Sequence, residues 1–183
     1  MAELPHPLTI EELVAFFNLK PLWTKDYIGE FYYSKDILPQ SVLPSKYDGE
    51  RPLYNCAYYL VPEGNMCPLH EMWADETWQY CLGGPLELIW IDPNGNEKMT
   101  VIGPDIRNGQ KPLEIVPRGH WFGATPKKGS KYSLITHVVA PAFFHQDERK
   151  VHLDELLERF PNASKLIQEY AWPKELDFRK DET

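Results

Sequence analysis

The chain has 183 residues, of which 43% are hydrophobic and 25% charged, as in an ordinary folded protein, and its net charge is −8. An acidic chain without a basic run argues against nucleic acid and anionic membrane surfaces as partners. No apolar stretch approaches the roughly 18 residues of a membrane span, and no signal peptide is recognised. Three cysteines without Cys-x-x-Cys spacing are expected to be free thiols, which favours a cytoplasmic location.

The predicted elements place helices on both sides of a run of strands. Thr9 and Glu12 form a capping-box pattern ahead of an apolar helix face. Short runs rich in Tyr, Val, Ile and Trp then alternate with turn residues, which is typical of a β-sandwich or barrel. The expected order within one domain over 1–183 is an N-terminal helix in 1–20, a barrel over 27–145, C-terminal helices in 150–172 and a charged tail over 173–183.

The segment GNMCPLHEMWADETWQYCLG, residues 64–83, predicts two neighbouring strands that line a pocket. His70 and Met72 share one face of the first strand, because side chains alternate with period two. Glu76, Trp78 and Tyr80 share a face of the second strand, expected to be the barrel interior.

This pattern predicts an acid–base pair. A carboxylate beside an imidazole fixes the tautomer of the ring and favours its protonated form. His70 is therefore the expected base, Glu76 its partner, and Tyr80 or Tyr59 the expected acid. A plainer interpretation is that His70 and Glu76 only satisfy each other's hydrogen bonds inside a polar pocket.

Several motifs together resemble a known family. Gly64, His70, Glu76 and Gly83 have the spacing of the first cupin motif, and VPRGHWF resembles part of the second. LHEMWADETWQYCLGGPLEL and the later YSLITHVVAPAF extend the resemblance over residues 50–144, to an RmlC-like cupin family of unknown function. The resemblance implies an all-β double-stranded β-helix, or jelly roll, with flanking helices. It also implies a homodimer and places metal-free epimerases among the relatives.

Two positions depart from a metal-binding cupin. Met72 and Phe122 stand where the motifs have histidines, and a thioether is a poor ligand for Zn, Mn or non-haem Fe. A metal-free site is therefore favoured. If a divalent metal binds, the expected ligands are His70, Glu76 and His137.

The leading functional prediction is a small-molecule isomerase, epimerase or cyclase that uses metal-free proton transfer in the barrel. A metal-dependent lyase or oxygenase and a non-catalytic small-ligand-binding barrel are the alternatives. The expected ligand-binding residues are Tyr59, Met72, Trp78, Trp121, Phe122 and His137.

Overall fold

The computed structural model describes residues 8–172, so the predicted tail at 173–183 lies outside the described residues. Its helices are Ile10–Phe16 (α1), Leu153–Arg159 (α2) and Ser164–Tyr170 (α3). Its strands are Lys20–Pro21 (β1), Tyr27–Tyr33 (β2), Ile37–Leu38 (β3), Arg51–Pro52 (β4), Asn55–Pro62 (β5), Cys67–Met72 (β6), Asp75–Gly83 (β7), Leu86–Ile91 (β8), Glu97–Ile102 (β9), Leu113–Val116 (β10), Trp121–Pro126 (β11), Tyr132–Ala140 (β12) and Glu148–Arg149 (β13).

Two antiparallel sheets face each other around the main core. One has six strands in the order β1-β2-β5-β12-β7-β10, and the other has five in the order β13-β6-β11-β8-β9. Alternate residues of both sheets point inward and pack together, among them Tyr59, Trp78, Leu88, Phe122 and Ile135. The predicted all-β jelly roll with flanking helices is confirmed.

The flanking helices cover outer surfaces of the sheets. The Thr9 hydroxyl accepts from the Glu12 amide at 3.2 Å and the Glu12 carboxylate accepts from the Thr9 amide at 2.7 Å, so the predicted capping box begins α1. Leu13 of α1 is buried against the six-stranded sheet. Leu156 of α2 and Ile167 of α3 are buried against the five-stranded sheet. In the part of the chain that the structure describes, no helix is long and apolar enough to cross a membrane.

A buried ion pair fixes the segment that follows the last long strand. Arg51 donates from Nε and Nη2 to the two carboxylate oxygens of Asp147, both at 2.7 Å. Each residue is 1% exposed. Breaking such a pair leaves an uncompensated buried charge, which typically costs about 3–5 kcal/mol. The pair therefore holds residues 143–148 in place, and three of these residues border the cavity described next.

Candidate functional site

A cavity of about 800 Å³ opens between the two sheets. Side chains from both sheets line it, and so do the loop at 21–24 and the segment at 143–150. The predicted site residues on its wall are Tyr59, His70, Met72, Glu76, Trp78 and His137. A second cavity of about 400 Å³, beside the turn at 127–131, contains none of the predicted site residues.

Glu76 forms a hydrogen-bonded pair with His137. His137 of β12 lies opposite Trp78 of β7, which makes Glu76 its diagonal neighbour on the inward face. Nδ1 of His137 is 2.5 Å from Oε1 of Glu76, and both residues are buried. Because an ionised carboxylate can only accept, the ring proton in this bond is on Nδ1. Nε2 of His137 is buried and has no hydrogen-bond partner within residues 8–172.

His70 lies on the other sheet and has a different partner. Its Nδ1 is 2.8 Å from the main-chain oxygen of Pro68, and its ring packs on Phe122 with centroids 4.2 Å apart. The predicted His70–Glu76 pair is therefore wrong. The chain changes sheets between β6 and β7, so Glu76 is flanked by β12 and β10 rather than by the strand of His70.

Tyr59 connects the cavity wall to the loop before β2. Its hydroxyl donates to Oδ2 of Asp26 at 2.8 Å, and Asp26 is completely buried. Burial raises the pKa of Asp26 from 3.8 to about 6, and the hydrogen bond from Tyr59 partly opposes this rise. Burial also raises the pKa of Tyr59 well above its usual value. The Tyr59 proton is thus already committed to Asp26.

Tyr80, the other predicted acid, is outside the residues that line the cavity. Its hydroxyl donates to the Gly83 carbonyl at 2.8 Å, at the end of β7 remote from Glu76. Four residues along a strand correspond to about 13 Å, so Glu76 and Tyr80 are too far apart to act on one atom. The predicted role of Tyr80 as the catalytic acid is therefore wrong.

Trp121 and Phe122 point to opposite faces of β11, as adjacent strand residues must. Trp121 is buried on the outer face of its sheet, among residues that include Leu156 and Phe160 of the C-terminal region. Its predicted role in ligand binding is wrong for this reason. Phe122 is buried in the barrel and contacts the rings of His70 and Trp78. It is not among the residues that line the cavity, which contradicts its predicted role in ligand binding.

Several cavity residues were missed from sequence. Asn55 lines the cavity, and its Oδ1 accepts from the Phe143 amide at 2.9 Å, which leaves its NH2 group available as a donor. The alternation Asn55, Ala57, Tyr59 places it on the inward face and was the available signal. At the rim, the rings of Trp23 and Trp172 lie 4.8 Å apart. They come together from remote parts of the chain, without a local sequence signal.

The donor set does not fit a metal centre of the cupin kind. Met72 and Phe122 occupy two ligand positions, and Glu76 is engaged in a hydrogen bond with His137. Among residues 8–172, no three His, Cys, Asp or Glu side chains are grouped so that they could hold a metal ion. The predicted alternative set of His70, Glu76 and His137 is therefore not assembled.

Comparisons with known proteins identify a family and a fold. The family profile described as "Cupin superfamily (DUF985)" matches residues 11–150. A hypothetical protein from Leishmania major superposes with a TM-score of 0.82 at 23% identity, over 91% of this chain and 100% of that one. A crystal structure from Shewanella oneidensis gives 0.79 at 24% identity, over 91% and 99%. A cupin 2 conserved barrel domain protein from Rhodopseudomonas palustris gives 0.54 at 12% identity, over 80% and 79%. No curated protein matches the sequence.

Proposed function

The chain belongs to the DUF985 family of the cupin superfamily, and we propose that it is a small-molecule isomerase or epimerase that moves protons in its barrel without a metal. The Glu76–His137 pair carries the proposal. One ring nitrogen of His137 is held by a carboxylate, and the other is buried without a partner in the described part of the chain. The resemblance to RmlC-like barrels, which include metal-free epimerases, supports the same chemistry.

The nitrogen without a partner favours a role for His137 in contacting a ligand. A buried acceptor without a hydrogen bond costs roughly 1–3 kcal/mol. His137 is 9% exposed and lies on the wall of the cavity. A substrate that supplies the absent partner to Nε2 would recover this free energy on binding, so the cost in the free protein favours a role in ligand recognition or proton transfer.

The pair is suited to remove a proton from carbon. Because Nδ1–H points to Glu76, the neutral ring presents Nε2 as a proton acceptor, and Glu76 stabilises the imidazolium that forms. The NH2 group of Asn55 is the proposed donor to the developing enolate oxygen. A positioned general base contributes about 10²–10⁴-fold to rate.

Deuterium uptake tests this proposal across many candidate substrates at once. The purified chain is incubated in D2O with a panel of hydroxy acids, amino acids, aldoses and ketoses, and mass spectrometry follows gains of one mass unit. We expect enzyme-dependent uptake into at least one compound, lowered by about 100-fold or more in His137→Gln. His120→Gln is the matched control, because His120 lies outside the cavity and is 3.5 Å from the Arg118 carbonyl.

The alternatives give different results in the same assay. A barrel that only binds its ligand gives no uptake, while His137→Gln weakens retention of a panel compound. A metal-dependent enzyme loses uptake after chelation and recovers it with added Zn²⁺, Mn²⁺ or Fe²⁺. Uptake that is equal in wild type and His137→Gln would refute the proposed base.

A further inference from the structure

The cavity contains a second imidazole, on the sheet opposite the Glu76–His137 pair. His70 is carried by β6 of the five-stranded sheet, and His137 is carried by β12 of the six-stranded sheet. Both rings line the same cavity, and they are 8% and 9% exposed. The two histidines therefore approach the cavity from facing walls.

Side-chain contacts connect the two imidazoles along two routes. On one side, the Phe122 ring lies 4.2 Å from His70 and 5.9 Å from Trp78, whose ring is 4.2 Å from His137. On the other side, the Cys67 sulfur is 3.8 Å from Nδ1 of His70, and Cys67 lines the cavity together with Tyr59. The Tyr59 ring is in turn 5.4 Å from His137. The histidines thus stand on opposite sides of one closed group of six residues.

The hydrogen bond at Nδ1 determines how His70 can act. The Pro68 carbonyl is an acceptor only, so Nδ1 of His70 carries a proton in both the neutral and the charged ring. Nε2 of His70 has no hydrogen-bond partner among the described residues. It is therefore the nitrogen that is available to a bound substrate, as is Nε2 of His137.

Two other side chains that line the cavity, Tyr59 and Cys67, are less suited than His70 to protonate a substrate. The Tyr59 proton is bonded to Asp26 at 2.8 Å. Burial raises the pKa of the Cys67 thiol well above its usual value, so this group releases its proton poorly. His70, by contrast, has a ring nitrogen, Nε2, that makes no hydrogen bond within the described residues.

We infer that His70 is a second proton carrier, which delivers a proton to the face of the substrate carbon opposite the face that His137 deprotonates. This inference rests on the proposed function and specifies the stereochemical outcome of the proposed reaction. Two proton carriers on facing walls invert a stereocentre, so the substrate class is a carbon acid with a stereocentre next to a carbonyl or carboxyl group. The reaction is then an epimerisation rather than a ring closure.

The step is balanced in protons and electrons. Nε2 of neutral His137 takes the proton, the carbon–hydrogen bond breaks, and its electron pair forms an enolate. Protonated His70 then gives its Nε2 proton to the other face of that carbon, where a new carbon–hydrogen bond forms. Turnover leaves His137 charged and His70 neutral, and exchange with water restores the starting state. The step needs no oxidant, reductant or second substrate.

The role of His70 is tested by measuring deuterium exchange into the starting compound and conversion to its epimer separately. Wild type, His70→Gln and His137→Gln are compared in D2O on each panel compound into which wild type incorporates deuterium. In His70→Gln we expect conversion to the epimer to fall by about 100-fold or more, while deuterium exchange into the recovered starting compound continues within about 10-fold of wild type. Exchange continues because His137 still removes the proton and, after its Nε2 has exchanged that proton with D2O, returns a deuteron to the same face.

Two outcomes of this comparison would overturn the inference. One is conversion by His70→Gln at a rate comparable to wild type, and the other is equal loss of exchange and conversion, which indicates a structural role. Lack of any uptake by wild type instead contradicts the proposed function. Long-range ¹⁵N–¹H NMR of histidine-labelled wild type provides an independent check, in which neutral His70 must carry its proton on Nδ1. A proton on Nε2 in that state would also overturn the inference.

Discussion

Replacing Asp26 with asparagine should remove a pH dependence from the stability of this fold. Asp26 is completely buried, and its pKa is raised from 3.8 to about 6 because burial disfavours the charged form. The folded chain therefore holds the Asp26 proton more tightly than the unfolded chain does. This contribution to stability is complete below the unfolded pKa and is lost as the pH rises through the folded pKa.

The magnitude follows from the size of the shift. Each pKa unit corresponds to about 1.4 kcal/mol, so a rise from 3.8 to about 6 corresponds to roughly 3 kcal/mol between acidic and neutral solution. About 1 kcal/mol of this should be lost between roughly pH 5 and pH 7. The hydrogen bond from Tyr59 to Oδ2 is compatible with the carbonyl oxygen of an asparagine at this position.

Urea unfolding at several pH values measures the effect. We expect the free energy of unfolding of Asp26→Asn, relative to wild type, to rise by roughly 1 kcal/mol from about pH 5 to about pH 7. Asp36→Asn serves as the control, because Asp36 is exposed, and its difference from wild type should stay constant. If the free energies of unfolding of wild type and Asp26→Asn changed equally with pH, burial of this carboxyl would not control its titration.

Three further predictions concern the scaffold and its assembly. Arg51→Met should lower the free energy of unfolding by about 3–5 kcal/mol in urea titrations, because Asp147 is left buried without its partner. Thr9→Ala should cost about 1 kcal/mol in the same assay through loss of the cap on the Glu12 amide. We also predict that the chain is a homodimer, and that Ile115→Glu, on an exposed apolar part of the six-stranded sheet, reduces the mass seen by light scattering to that of a monomer. A monomeric wild type would contradict this prediction.

The strands and helices could be predicted because their signals are local. The alternation around Tyr59 and the capping box at Thr9 each involve residues that are near one another in sequence. The same alternation separates Trp121 from Phe122, so the assignment of both to one pocket was an avoidable error. Period two forbids adjacent strand residues from sharing a face.

The partner of Glu76 could not be predicted by such reasoning. His70 is near Glu76 in sequence, but β6 and β7 lie in different sheets, and β12 is the strand that brings His137 to the carboxylate. Strand order depends on how the whole barrel closes, which no short motif encodes. The contact between Trp23 and Trp172 could not be predicted for the same reason.

The position of Trp172 has a consequence for the order in which the chain can mature during synthesis. Its Nε1 donates to the main-chain oxygen of Leu69, next to His70, and its ring packs beside Trp23 at the cavity rim. Every strand precedes Trp172 in the chain, so a nascent chain can pair its sheets before this residue has left the ribosome. A chain stalled before residue 172 would therefore have all its strands but would lack one side chain of the cavity wall.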